Sequence, residues 1–195
     1  LMPQTAVALP EVSADFRHFV FTIRPGIFFA DDPVFKGQRR ELTAADYVYS
    51  IKRFYDPAVK TERLYLFENA KVLGLSELRK KVLAARTLFP YDAPVDGLRT
   101  QGRYRFEVRL AEPSPRFADN FAAPQNVPGM AREAVEAYAA DLMAHPVGTG
   151  PYRLVEWKRA SRVVLEANPH YRTLAFPDSG GPGRRLQGQG QGGNR

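Results

Sequence analysis

Residues 145–171 read HPVGTGPYRLVEWKRASRVVLEANPHY. Gly148 and Gly150 give backbone freedom on either side of Thr149, and Pro151 fixes φ and forbids helix, so the chain must leave this turn extended. Tyr152, Leu154 and Trp157 form one β-rich run, and Val163, Val164 and Leu165 form another. Residues 158–161 are the expected turn, and Asn168-Pro169 ends the second strand. Trp157 is expected to pack beneath the hairpin. The physics of this stretch therefore predicts a hairpin entered through a glycine turn.

Working outward, Phe19, Phe21 and Ile23 alternate with Val20, Thr22 and Arg24, the pattern of a strand with one buried face. Pro25-Gly26 turns the chain, and residues 27–30 continue as a second short extended piece. Thr43 caps a helix, with Asp46 at the acidic position of a capping box. Tyr47, Val48, Ile51, Phe54 and Tyr55 fall on one face of it, and Asp56-Pro57 ends it. Residues 64–85 are helical in tendency, with Leu75, Leu78 and Val82 as an apolar stripe. After a loop at 90–97, Tyr104, Phe106, Val108 and Leu110 alternate with Arg103, Arg105, Glu107 and Arg109, the cleanest half-buried strand of the chain. A short helix at 117–122, a proline loop and a helix at 131–143 follow, the last with Val135, Tyr138, Leu142 and Met143 inward. Residues 1–13 read as an irregular entry. From residue 173 the sequence becomes rich in Gly, Gln and Arg with few apolar residues, a composition expected to be disordered. A shifted reading frame or a truncation would explain the abrupt change.

The run GTGPY, a strand, a tryptophan, a basic turn and then VLEANPHY resembles the signature of the family 5 extracellular solute-binding proteins, the oligopeptide- and dipeptide-binding components of ABC importers. The stretch FVFTIRPGIFFADDPVFKGQRRELTAADYVYSIKRFYDP (residues 19–57) is similar to two further blocks of that family, and the likeness runs over about residues 7–172. The resemblance implies an α/β fold, a fragment of the type II periplasmic-binding-protein architecture. Residues 14–140 would be the small accessory lobe, helices on an antiparallel or mixed sheet. Residues 141–172 would be strands of the main lobe. It also implies a periplasmic, monomeric parent protein that closes two lobes on an oligopeptide or another small solute and delivers it to ABC permease subunits in the membrane. No cofactor is implied. Related binders take peptides, nickel complexes, haem or opines on one fold, so the ligand itself is not named. In the family the charge partner of the peptide amino terminus comes from a lobe this chain lacks, so the chain alone is expected to bind peptide weakly or not at all.

Composition narrows the alternatives. In 195 residues, 44% are hydrophobic and 12% aromatic, enough for a core of one domain or slightly more. No apolar run approaches the ~20 residues of a membrane span. The start lacks a basic segment followed by an apolar one, so any export signal is expected upstream of Leu1 or already removed. The absence of cysteine excludes disulfides, Cys-ligated zinc and thiol catalysis. A net charge of +7 permits a nucleic-acid-binding module, yet Lys and Arg are interleaved with Asp and Glu and form no block.

Catalytic and metal constellations are not legible. His18, His145 and His170 are far apart and lack ligand spacing. Asp31 and Asp32 are adjacent and point apart in an extended loop, better suited to capping, turn formation or cation pairing than to shared-proton chemistry. Gly148-Thr149-Gly150 lacks the Lys-Ser/Thr of a phosphate loop, and Pro151 blocks helix entry. The candidate ligand-binding residues are Gln125 and Asn126, in a polar, uncharged loop at 122–130. The turn of Gly148, Thr149, Gly150, Pro151 and Tyr152 is expected to be structural. A hydrolase, or an inactive fragment without ligand binding of its own, stays as a further alternative.

Overall fold

A computed structural model describes residues 3–123 and 126–172. The first strands, β1 (Glu11–Val12) and β2 (His18–Thr22), pair antiparallel, Glu11 opposite Val20. Strand β4 (Arg105–Arg109) lies on the other side of β2 with Phe21 opposite Phe106, and β3 (Leu98–Thr100) closes the order β1-β2-β4-β3. All three pairings are antiparallel, which resolves the choice between an antiparallel and a mixed sheet. The alternation predicts the result: Phe19, Phe21, Phe106 and Val108 face a continuous core, and the Phe21 and Phe106 rings stack at 4.9 Å.

Helix α1 (Ala44–Tyr55) lies across that face. Its capping box forms as the sequence predicts, with the Asp46 carboxylate accepting from the Thr43 backbone N–H at 2.7 Å and from its hydroxyl at 3.0 Å. The helix is buried on more than one side, because residues 91–93 cover the face opposite the sheet. Lys52 is buried there, and its ammonium donates to the carbonyls of Tyr91 and Ala93, both at 2.7 Å. Two oriented carbonyls offset the desolvation of one charge.

Several elements differ from expectation, each for a physical reason. The helical tendency at 64–85 divides into α2 (Tyr65–Glu68) and α3 (Leu75–Ala85). Between them Val72 bridges to Leu110, and the Leu73 N–H donates to the Arg109 carbonyl; tertiary pairing overrides local propensity. Gly97 sits beside this crossing, where a Cβ would lie 2.4 Å from the Leu73 nitrogen. Residues 27–30 form one bridge, Phe28 to Glu41, rather than a strand. The terminal helix is shorter than expected: α4 (Arg132–Tyr138) gives way to a 3₁₀ turn, Ala139–Asp141, and Met143 points to solvent at 81% exposure. Glu107, on the polar side of its strand, is nonetheless 4% exposed. His18, Gln101 and Arg109 converge on its Oε2 at 2.8, 3.0 and 3.3 Å. Burial pushes its carboxyl up, but the His18 hydrogen bond and the Arg109 charge outweigh this and hold it below the usual carboxylate range.

The second sheet is the hairpin β5 (Tyr152–Lys158) and β6 (Arg162–Ala167), with a register shift between Leu154 and Glu156. Its turn falls where the sequence puts it, with Ala160 at φ 57°. Trp157 does not pack beneath it. The ring is 37% exposed and carries the Arg159 guanidinium 5.6 Å above it, because no other element covers either face of the two strands among the described residues. The Gly/Gln/Arg-rich segment from residue 173 lies outside the described residues.

Candidate ligand cleft

Three segments converge on one cleft of about 670 Å³. The amino-terminal stretch 3–10 forms one wall, residues 127–131 with α4 a second, and residues 146–151 a third. Tyr47, Phe106 and Phe121 are part of its apolar lining. The volume falls within the range of small-molecule sites.

Each wall is held by identifiable contacts. The Met130 N–H donates to the Ser50 hydroxyl at 3.1 Å, which fixes the proline loop on α1. Gly129 lies so close that a Cβ there would meet Leu42 Cδ1 at 2.6 Å and the Tyr47 ring at 3.3 Å. Arg40 ties the starts of two helices together, bonding Asp46 at 2.6 Å and Glu133 at 2.5 Å. Burial pushes the Glu133 carboxyl up, and the Arg40 hydrogen bonds and charge bring it below its ordinary range. The glycine turn is fastened to the body by the Ala30 N–H, which donates to the Gly148 carbonyl at 2.8 Å. Asn168 closes its far side: its amide donates to the Gly150 carbonyl at 3.0 Å and its backbone N–H to the Pro151 carbonyl at 2.8 Å.

Gly148, Thr149, Gly150 and Pro151 therefore line the cleft itself, while Tyr152 begins β5 and is exposed. Neither Gly148 nor Gly150 adopts a positive φ, and an added Cβ at Gly148 would meet nothing within 4 Å. The backbone freedom expected of this pair is therefore not spent on a left-handed conformation. Asn126 does not line the cleft; its side-chain oxygen accepts from the Arg63 guanidinium. Gln125 lies outside the described residues.

One corner of the cleft is polar. The Thr5 and Tyr47 hydroxyls bond at 2.7 Å, and the Arg172 guanidinium reaches the Thr149 carbonyl at 3.3 Å. Burial raises the Tyr47 phenol, partly countered by Thr5 and by the nearby positive charge of Arg172, so it keeps its proton, and either hydroxyl can donate in the bond between them. Sequence reading assigns Tyr47 to the core and does not single out Thr5 or Arg172. The helical period correctly predicts where the Tyr47 ring goes, stacked 5.5 Å from Phe106. Nothing local signals that its hydroxyl meets a residue 42 positions earlier.

The histidines and the acid pair are engaged in hydrogen bonds or ring packing. His18 bonds Glu107, His170 bonds Asp31 at 2.9 Å, and His145 stacks on Tyr138 at 4.4 Å. Asp32 caps the turn at Val34 and accepts from the Tyr138 hydroxyl at 2.6 Å. Among the described residues there is no group of three metal-ligating side chains, and no helix is long and apolar enough to cross a membrane. Many of the arginines lie against carboxylates, including Arg99, Arg103, Arg132 and Arg153. That arrangement opposes a continuous basic face for nucleic acid.

An antiparallel sheet backed by helices, with an apolar cleft walled by the amino-terminal stretch, the proline loop and the turn that precedes a separate hairpin, is the architecture of a module that binds a small solute. The model of the bacterial extracellular solute-binding proteins, family 5 Middle, matches residues 1–186, and the chain belongs to that family. Protein XP55 of Streptomyces lividans is 30% identical over 171 residues, covering 88% of this chain and 25% of that protein. The periplasmic oligopeptide-binding protein OppA of Salmonella typhimurium is 27% identical over 172 residues, 87% of this chain and 28% of the relative. Among solved structures, OppA of Burkholderia pseudomallei superposes with a TM-score of 0.64 at 26% identity, over 87% of this chain and 30% of its own. The chain thus spans about a quarter to a third of the length of the proteins it matches, and holds part of the periplasmic-binding-protein fold.

Proposed function

We propose that this chain is part of the solute-binding subunit of an ABC importer that captures peptides. Residues 14–140 act as its accessory lobe and residues 141–172 as strands of its main lobe. The observation that carries the reading is the meeting of the proline loop and the glycine turn on one apolar cleft, in a chain whose relatives include proteins named for oligopeptide binding. The division into lobes is supported by the two sheets, which share no strand. As relatives carry the description periplasmic, the parent works outside the cytoplasmic membrane, as a monomer, and hands its cargo to permease subunits. It binds rather than transforms its cargo, and hinge closure would follow from contacts made by both lobes. Gln125 and Asn126 are proposed to contact the ligand in the intact protein, which for Asn126 requires release from Arg63.

The test is a titration of the ¹⁵N-labelled chain with di- to pentapeptides at millimolar concentration. Chemical shifts should move at Val127, Gly129, Met130 and Ala131 and at residues 147–150, with millimolar affinity. Micromolar binding in calorimetry would show that the chain is a complete binder. Shifts confined to other surfaces, with the cleft silent, would remove the reading.

A further inference from the structure

Among the described residues the most exposed large apolar side chain is Leu88, at 92%. It follows α3, whose inner side is fixed in the core by Leu75 and Val82. Phe89 takes the next buried seat, its ring 5.2 Å from that of Tyr91, and Leu88 is left in solvent. Leu83 joins it on the outward side of the last helical turn at 52% exposure, and residues 83–88 are exposed without a break. The outward arc of α3 also carries Lys80 and Lys81, both exposed, with Glu77 as the single acid of the helix. Arg86 ends the helix at φ 52°, a left-handed seat where glycine is the usual residue and an L side chain is strained. The side chain placed there is a third exposed cation. None of these five residues lines the cleft.

We propose that the end of α3, residues 80–88, docks the protein on an anionic lipid bilayer. Leu83 and Leu88 enter the headgroup boundary, and Lys80, Lys81 and Arg86 meet lipid phosphates. A leucine standing this far into water offers no groove to a shaped partner, whereas a fluid interface closes around it. The stems of the three cations lie along the apolar boundary while their charges stay at headgroup level. Two leucines and three charges make the contact weak and reversible. The surface lies outside the cleft and does not depend on the peptide-binding reading.

The probe is a pair of sucrose-loaded vesicles, pure phosphatidylcholine and an equimolar mixture with phosphatidylglycerol, sedimented with the full 195-residue chain at low salt. The chain should pellet with the anionic vesicles, stay in solution with the neutral ones and be released by high salt. Lys80→Gln with Lys81→Gln should lower the partition coefficient about 5-fold per charge removed, and Leu88→Ser should lower it about 10-fold. These changes are confined to exposed side chains, so the variants keep the parent fold. Trp157, the single tryptophan, lies on the hairpin and reports on the competing apolar surface; its emission should not shift when vesicles bind. Partition that Leu88→Ser leaves unchanged would mean that charge alone is read, and overturns the proposal. So does an equal loss in Lys158→Gln with Arg159→Gln at the hairpin tip. A blue shift of Trp157 would move the contact to the hairpin and also overturns it, as does failure to pellet with anionic vesicles. The peptide reading stands in every case, because its own titration reads the cleft.

Discussion

Strands β4 and β6 are built from the same kinds of residue and meet opposite fates. Phe106 in β4 is 1% exposed, under α1 and against Phe21, whereas Leu165 in β6 is 57% exposed. Both segments alternate or cluster β-formers, and both pair antiparallel. Period therefore specifies the strand, and a covering element specifies the burial. The body has such an element in α1; the hairpin has none among the described residues. Its apolar faces and open edges are the features that, in a free chain, invite association.

Mutation should separate the two regions sharply. Phe106→Ala should destabilise by about 3–5 kcal/mol, the cost of emptying a packed aromatic site, measured by chemical denaturation. Leu165→Ala in the same assay should change stability by less than about 0.5 kcal/mol. A loss at Leu165 approaching that at Phe106 would mean that the hairpin is covered in solution, and sedimentation would then reveal an oligomer.

Gly97→Ala probes the body at its tightest point. A methyl at Gly97 would collide with the Leu73 backbone and the Arg109 carbonyl, neither of which moves as a side chain does. The expected cost is about 1–3 kcal/mol. The same change at Gly148, where nothing lies within 4 Å, should leave stability within about 0.5 kcal/mol of the parent. A large loss at Gly148 would point to a partner for the turn in the folded chain.

A third comparison uses pH. The folded carboxyl of Glu107 lies below its ordinary 4.5, so the unfolded state takes up the proton first. The stabilisation is complete above about pH 4.5 and is lost as pH falls through the lower, folded value. Melting temperatures of the parent should fall in that window, and Glu107→Gln should show a flatter acid limb. The hairpin ion pairs, such as Arg153 with Glu166 at 2.6 Å, are solvent-exposed and should contribute little. Glu166→Gln should leave the acid limb unchanged, and the smallest effect of the series is expected there.

Much of the fold is legible in the sequence because local and tertiary signals agree. The Thr43 cap, the β2 and β4 alternation and the hairpin turn at 158–161 each depend on residues a few positions apart. Strand β3 was not legible, since Leu98, Arg99 and Thr100 have no repeat long enough to carry a period. The break between α2 and α3 was hidden for a different reason: it is imposed by pairing with Arg109 and Leu110, more than thirty residues away. In the cleft, the proline loop and glycine turn could be named from sequence, but their meeting could not. The donors Thr5, Tyr47 and Arg172 come from three distant segments and carry no shared motif. Asn126 illustrates the converse, because a polar loop residue that looks free in sequence is held by Arg63.

Asn168 receives attention from both ends of the hairpin at once, bonding Gly150 and Pro151 before β5 and holding the His170 N–H after β6. The two strands thus leave and return through a single clasp, and everything beyond it is a detachable arm. Length can be added at the Ala160 tip without altering the spacing between the clasp and the cleft. A family built on this plan can vary the arm while the cleft wall beside the clasp keeps its place.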